Sequence, residues 1–237
     1  LRRFLKQRAV EPLLALRIKR FLEHKHAKQK KTMQQKQVTL LNMLSKQLQE
    51  ELQTAINVPH LAIHPLLETL TETSFIIMTR LCTEGVGRMS LASQDTLFEP
   101  MQMAVGMYFL SAGKIIYQTS DLDEECLLEN DGWISEAVLW TAEWEHMGEA
   151  TAGTDCEVLT IVPKSFEAIV MLVKTVAAVM AQYARDYVEW IAKCEKHSDI
   201  TQKEEAFERT KSFVHKPLDL KKQNTRKMFE AARKGDQ

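Results

Sequence analysis

The sequence predicts an α+β fold: an N-terminal helical linker, then a small antiparallel β-roll, then a long C-terminal helix. Three observations predict it. Over residues 1–70 apolar side chains recur only at helical spacing, first Leu14, Ile18, Phe21 and Leu22, then Leu41, Leu44, Leu48, Leu52 and Ile56. Between Leu97 and Val162 the pattern changes to short β-prone runs split by Gly, Pro, Asp and Asn. After Pro163 the helical period returns, with Val173, Ala177, Met180, Ala184, Tyr187, Ile191 and Cys194 at alternating spacings of four and three.

In chain order, Pro12 suits the first turn of the helix that follows it, and the polar run Lys28-Gln29-Lys30-Lys31-Thr32 separates the two linker patterns. Val58-Pro59 is expected to stop the second pattern, because the residue before proline is pushed out of the helical region. His64-Pro65 opens a further short helix through Leu70, and helices are expected up to about residue 90. The strand candidates are Leu97-Phe98, Met107-Tyr108-Phe109-Leu110, Lys114-Ile115-Ile116-Tyr117, Cys126-Leu127-Leu128 and Val158-Leu159-Thr160-Ile161, so the β portion spans about 95–163. Ser111-Ala112-Gly113 and Asn130-Asp131-Gly132 read as hairpin turns. One helix is expected over about 165–195, with Val176, Tyr183 and Trp190 widening its apolar stripe so that it packs on its own domain. From Ser198 the chain is highly charged, and a marginal helix or disorder is expected there. The domain reading is 1–70 linker, 71–197 roll and 198–237 tail.

At 237 residues with 45% hydrophobic content the chain has enough apolar mass for a core. The longest apolar stretch, Phe166 to Ala184, carries Glu167 and Lys174 and does not read as a membrane span. The opening Leu1-Arg2-Arg3-Phe4 lacks an initiator Met and a signal-peptide core, so an excised piece of a longer cytosolic chain is expected. Cys82, Cys126, Cys156 and Cys194 form no close pair and are expected to be buried reduced thiols.

Charge is segregated. Residues 1–60 hold thirteen Lys and Arg against four Asp and Glu, and 203–237 hold ten against six; taken from the totals of 31 and 32, that leaves eight basic against twenty-two acidic residues over 61–202. An acidic middle argues against a nucleic-acid-binding domain. The basic flanks suit anionic lipid, calmodulin or an acidic neighbouring subunit.

Two segments carry a more specific signal. Met107-Tyr108-Phe109-Leu110-Ser111-Ala112-Gly113-Lys114-Ile115-Ile116-Tyr117 resembles a hairpin of cyclic-nucleotide-binding domains, and Asp131-Gly132-Trp133-Ile134-Ser135-Glu136-Ala137-Val138-Leu139-Trp140 resembles the opening of their phosphate-binding cassette. The pattern from Gly148 to Phe166 is similar to the strands and helix entry downstream of that cassette. Upstream, Leu13 to His24, the Leu41-Leu44-Leu48-Leu52 series, His60-Leu61 and Pro65-Leu66-Leu67 are similar to the C-linker of hyperpolarisation-activated, ether-à-go-go-type and plant-type channels.

The resemblance implies a cassette that holds a cyclic phosphate through an Arg, a Ser or Thr hydroxyl and backbone N–H groups of the Ser135-Glu136-Ala137 stretch, with Glu136 on the ribose. Several of those parts are altered. Ser135 stands where the family has Gly, His146 where it has Arg, and Met147 where it has Ser or Thr. Neutral His offers one donor in place of a permanently charged fork, and Met offers none. Glu143, Glu145 and Glu149 are expected to add negative charge. The other reading of Glu136 is a helix cap or an ion pair with a neighbouring element; Trp133, Trp140 and Trp144 either stack on a base or fill the core. No cofactor is expected, and the cassette disfavours cAMP and cGMP.

Catalytic motifs are absent: there is no GxSxG, Walker A or GxGxxG, and His60 and His64, bracketed by Pro59 and Pro65, lack a third ligand. The resemblance implies a non-enzymatic gating module on the cytoplasmic side of a membrane, part of a homotetrameric voltage-gated cation channel for which potassium is the first expectation. The alternative is a soluble cyclic-nucleotide sensor of the kinase regulatory-subunit kind. A transcription regulator would need a helix-turn-helix after the long helix, which the pattern from Ser198 does not supply.

Overall fold

A computed structural model of the chain describes residues 8, 11–16, 18–19, 22, 41, 43–119, 125–129, 132–194, 197–201 and 203–214. The chain divides into two compact units, Leu1–Gln49 and Glu50–Gln237. In the first, residues 12–16, 18, 19 and 22 are helical, matching the Leu14–Ile18–Leu22 spacing. Phe21 and the polar run 28–32 lie outside the described residues, as do Asn130, Asp131 and everything after 214.

Helix α1 (Lys46–Leu61) buries Thr54, Asn57 and Leu61, while Leu48 is exposed and Leu52 and Ile56 are half-buried. The apolar stripe read from sequence is therefore not the face that α1 buries. Its buried polar side chains have specific partners: Thr54 Oγ1 donates to the Glu50 carbonyl, and Asn57 Nδ2 donates to the Cys82 carbonyl at 2.8 Å while its Oδ1 accepts from Arg88. Nor does Val58-Pro59 end the helix. Pro59 sits in the last turn, and Ala62 N–H still reaches the Val58 carbonyl at 2.8 Å. Proline costs one ladder bond there, near an end where few remain to lose.

Helix α2 (Pro65–Thr73) begins as the sequence predicts, with Pro65 in its first turn and His64 as N-cap, the imidazole Nδ1 accepting from Leu66 N–H at 3.3 Å. Helix α3 (Phe75–Arg80) runs into a π-helical turn, Leu81–Gly85, which feeds directly into the first strand.

Among the described residues eight strands follow: β1 (Val86–Leu91), β2 (Thr96–Phe98), β3 (Met107–Ala112), β4 (Ile115–Thr119), β5 (Glu125–Leu128), β6 (Trp133–Ile134), β7 (Gly148–Ala152) and β8 (Cys156–Ile161). They form two four-stranded antiparallel sheets, in the orders β1-β8-β3-β6 and β2-β7-β4-β5. The fold is thus α+β. Strand β1 was not among the strand candidates: Val86-Gly87-Arg88-Met89-Ser90-Leu91 is mostly exposed and lies at a sheet edge, where a strand needs no apolar run. Successive strands change sheet at every connection except β4–β5. The turns at Gly113 and Gly132 are therefore corners between sheets, not hairpins. Gly113 takes a φ of 101° at its corner, a conformation that disfavours any Cβ.

Alternation along β3 explains its unbroken apolar run. Tyr108 and Leu110 join Phe98, Ile115, Tyr117, Leu128, Ile134, Ala150, Ala152, Cys156 and Val158, a core drawn from both sheets. Met107 and Phe109 face the other way and join Leu159, Ile161 and the helices. A strand buried on both faces reads as continuously apolar.

The expected single helix over 165–195 is two helices, α4 (Pro163–Val170) and α5 (Lys174–Ile191), with a turn at residues 171–173. Helix α5 buries Val176, Met180, Tyr183, Tyr187 and Ile191 within its own chain's core. Beyond it, a segment at residues 197–201 leads to α6 (Lys203–Val214), whose Ala206, Arg209 and Thr210 are buried and which packs on α2 and α5. Of the two alternatives expected from Ser198, a marginal helix or disorder, residues 203–214 form a helix. Its few buried residues contact the domain at specific polar points, which an apolar pattern does not reveal. All four cysteines are free, but Cys126 is exposed and Cys194 half-buried, because β5 is an edge strand and Cys194 lies just past α5. Among the described residues no helix is long and apolar enough to cross a membrane.

Candidate functional site

Ser135, Glu136 and Ala137, three of the residues singled out by the resemblance, lie in the turn after β6. Ser135 is fully buried in the left-handed region, φ 64° and ψ 38°, and starts the 3-10 turn Glu136–Leu139. That reversal separates two directions. Ser135 faces one way, its N–H toward the Asp199 carbonyl and its hydroxyl toward His146, and the side chain of Glu136 engages a cluster of helical residues.

On the first side lies a residue that the sequence reading did not identify, Asp199. The residue is 1% exposed, and its carboxylate accepts five hydrogen bonds. Oδ1 takes Trp144 Nε1–H at 2.8 Å and His146 Nδ1 at 2.9 Å. Oδ2 takes Met147 N–H at 2.7 Å, Gly148 N–H at 3.3 Å and the Tyr117 hydroxyl at 3.0 Å. Because a carboxylate only accepts, the hydrogen on His146 sits on Nδ1. The peptide groups of Asp199 are held too: Ser135 N–H donates to its carbonyl at 2.7 Å, and its own N–H donates to Tyr117 Oη at 3.2 Å. Burial and the Asp199 charge together push the Tyr117 phenol up to about 12, so it remains a donor.

The walls of the cup are closely packed. The His146 ring lies flat on Phe98, centroids 3.5 Å apart and planes 5° from parallel, and Ser135 Oγ is 3.3 Å from Nδ1. Gly148 lets Tyr117 approach, since a Cβ there would stand 2.8 Å from the Tyr117 ring.

On the second side Glu136, 1% exposed, accepts from Tyr183 Oη at 2.7 Å and Trp140 Nε1 at 3.3 Å on Oε1, and from Trp133 Nε1 at 3.3 Å on Oε2. Arg209 Nη2 at 3.5 Å and His64 Nε2 at 3.3 Å also face Oε2. Arg209 stacks 4.2 Å above Trp190 and 5.0 Å above Tyr187. Burial alone raises a carboxyl pKa, but His64, Arg209 and Tyr183 overcome it and hold Glu136 down at about 2. The same charge raises Arg209 further above its usual value, against burial. Glu136 thus links α2 through His64, α5 through Tyr183 and α6 through Arg209.

Of the residues picked out by sequence, Ser135, His146 and Met147 meet at the Asp199 cup. Ala137 is buried and contributes its carbonyl, which accepts from Thr141 N–H and Oγ1. Glu143 and Glu145 are exposed, and Glu149 accepts from the Thr151 hydroxyl at 2.9 Å. Trp133 and Trp144 are buried and Trp140 half-buried, all three donating to carboxylates of the chain itself. Among the described residues no group of three His, Cys, Asp or Glu side chains is placed to hold a metal. A scan against protein-family models matched none of them, and a search of curated proteins returned no match to this chain.

Proposed function

We propose that this chain is a cytosolic regulatory module of a tetrameric cation channel, a helical linker joined to a cyclic-nucleotide-binding-like β-roll whose pocket is filled by the chain's own segment 197–201. The observation that carries the reading is Asp199, whose carboxylate accepts from His146 and Met147 and whose backbone carbonyl accepts from Ser135 N–H, the positions where the resemblance puts a nucleotide phosphate. Two sheets linked by corner turns, with the 3-10 cassette turn between β6 and β7, support the β-roll part of it.

In this reading Glu136 is not a ribose ligand. Its five partners come from the protein, and breaking them for a hydroxyl would leave Arg209 with a buried charge and a weakened pair. The domain instead reports on the strap formed by 197–201 and α6. When the strap is seated, Arg209 holds Glu136, which faces His64 at the start of α2; movement of the strap changes the contacts at the N-terminus of that helix.

Calorimetric titration of the chain with cAMP and cGMP at neutral pH tests the pocket, and no heat of binding up to millimolar ligand is expected. Micromolar binding would overturn the self-occupied reading. The channel reading is tested by exchanging this chain for the matching module of a hyperpolarisation-activated channel. A conducting channel insensitive to cAMP is expected, and a module that blocks tetramer assembly would count against it.

A further inference from the structure

We propose that the cup around Asp199 is a carboxylate-binding site in its own right, selective for carboxylate over phosphate, which takes a free carboxylate or an aspartyl peptide once Asp199 is withdrawn. The inference rests on the reading that segment 197–201 is an internal occupant, and it names the chemistry that occupant stands for.

The donor set carries the argument. Five donors converge on two oxygens of one planar group, two on Oδ1 and three on Oδ2. None of the five comes from Arg or Lys; two are backbone amides, one an indole, one a phenol and one an imidazole. Such a set offers direction without a fixed charge, which fits a monoanion with two oxygens in a plane. A phosphate monoester brings more charge than these donors neutralise, and a tetrahedral phosphodiester brings two ester oxygens that only accept. The walls do not widen easily for either, because His146 is stacked on Phe98 and Gly148 lies against Tyr117. The Arg that would favour phosphate is absent from the position where His146 stands.

The cup also reads more than a carboxylate. Ser135 N–H holds the carbonyl of Asp199, and Tyr117 Oη accepts its N–H. An acid flanked by amides therefore gains two hydrogen bonds that acetate cannot make. In the intact chain the tethered Asp199 has the advantage of high effective concentration, so a ligand in trans must compete with it.

The test uses the full chain carrying Asp199→Ala, with the Trp144 indole N–H followed by two-dimensional NMR during titration. The probes are sodium acetate, sodium chloride, inorganic phosphate, cAMP and a capped pentapeptide of residues 197–201. Acetate is expected to shift the Trp144 resonance saturably and raise the melting temperature. The pentapeptide is expected to bind about tenfold tighter than acetate, and phosphate and cAMP at least about tenfold weaker. Asp199→Ser serves if Asp199→Ala folds poorly, and either variant regaining its fold only in acetate supports the proposal. Phosphate or cAMP binding as well as acetate overturns the selectivity while leaving the self-occupied reading intact. No response to acetate or peptide, or a variant that stays unfolded in every carboxylate buffer, overturns the site itself. Micromolar cAMP binding by the unmodified chain is the separate result that sinks the underlying reading.

Discussion

Tyr117 and Asp199 hold each other twice: the phenol donates to Oδ2 at 3.0 Å and accepts from the Asp199 amide at 3.2 Å. Tyr117→Phe keeps the ring in the inter-sheet core and removes only the hydroxyl. A buried N–H then loses its partner and a buried carboxylate loses one of five donors, for a cost of about 1–3 kcal/mol. Urea denaturation should show that loss. Hydrogen exchange over residues 203–210 should quicken by a similar factor, and unchanged exchange there would mean that the cup does not hold α6.

Glu136 makes stability depend on acid. Its folded pKa, about 2, lies below the ordinary value of 4.5, so the unfolded chain binds more protons between the two. The stabilisation is complete above about 4.5 and is lost as pH falls toward 2. It amounts to about 3 kcal/mol. Glu136→Gln removes the titrating group and weakens the pairing with Arg209. The stability gap between wild type and this variant should be widest above pH 5 and should close on acidification. Parallel pH curves for the two proteins would show that Glu136 is not held as described.

The parts of this architecture legible in the sequence are those where burial leaves an apolar trace. Strand β3, buried on both faces, stood out, and so did the His64-Pro65 start of α2, where a cap and a proline act locally. Strand β1 did not, because an edge strand needs only its backbone bonds to β8. The turn that breaks the helical stretch at 171–173 carries Met171, Leu172 and Val173, which keep the helical apolar character although Met171 and Leu172 are exposed.

Half of the site was legible and half was not, for a related reason. Ser135, Glu136, His146 and Met147 lie in one contiguous stretch, the one on which the resemblance rests. Asp199 is 52 residues from Met147, in a segment whose composition is that of a solvated tail. A lone Asp beside Ser198 and His197 has no sequence signature for burial. The one available hint was chemical: a cup with no Arg and several uncharged donors needs an anion that is always at hand, and the chain itself is the nearest source.

Two glycines separate a backbone limit from a side-chain one. At Gly85 an added Cβ would come within 2.7 Å of Leu81 Cδ1 and 2.9 Å of Ile169 Cδ1, both ends of flexible side chains. At Gly148 it would meet the Gln118 carbonyl and stand 2.8 Å from the Tyr117 ring, neither of which can rotate away. Gly85→Ala should therefore cost about 1 kcal/mol and Gly148→Ala about 3 kcal/mol, the range of overpacking in a close-packed interior. Gly148→Ala should also loosen α6, since it displaces Tyr117 and a donor to Asp199 together. Equal melting temperatures for the two variants would show that the β4–β7 approach is softer than its geometry suggests.

Ser135 tests whether backbone conformation or side chain is selected at the head of the 3-10 turn Glu136–Leu139. Its φ of 64° aims its N–H at the Asp199 carbonyl, 2.7 Å away, and a side chain in that region costs about 1 kcal/mol. Ser135→Gly relieves that strain, but it loses the hydroxyl 3.3 Å from His146 and gains freedom in the unfolded chain. The three effects nearly cancel, so its stability should stay within about 1 kcal/mol of wild type. Ser135→Val keeps the strain, adds β-branching at positive φ and sets a methyl against the imidazole, and should cost at least about 2 kcal/mol. Chemical denaturation of both variants decides the matter. A glycine variant as unstable as the valine one would mean that the serine hydroxyl, not the left-handed turn, holds Asp199 in place.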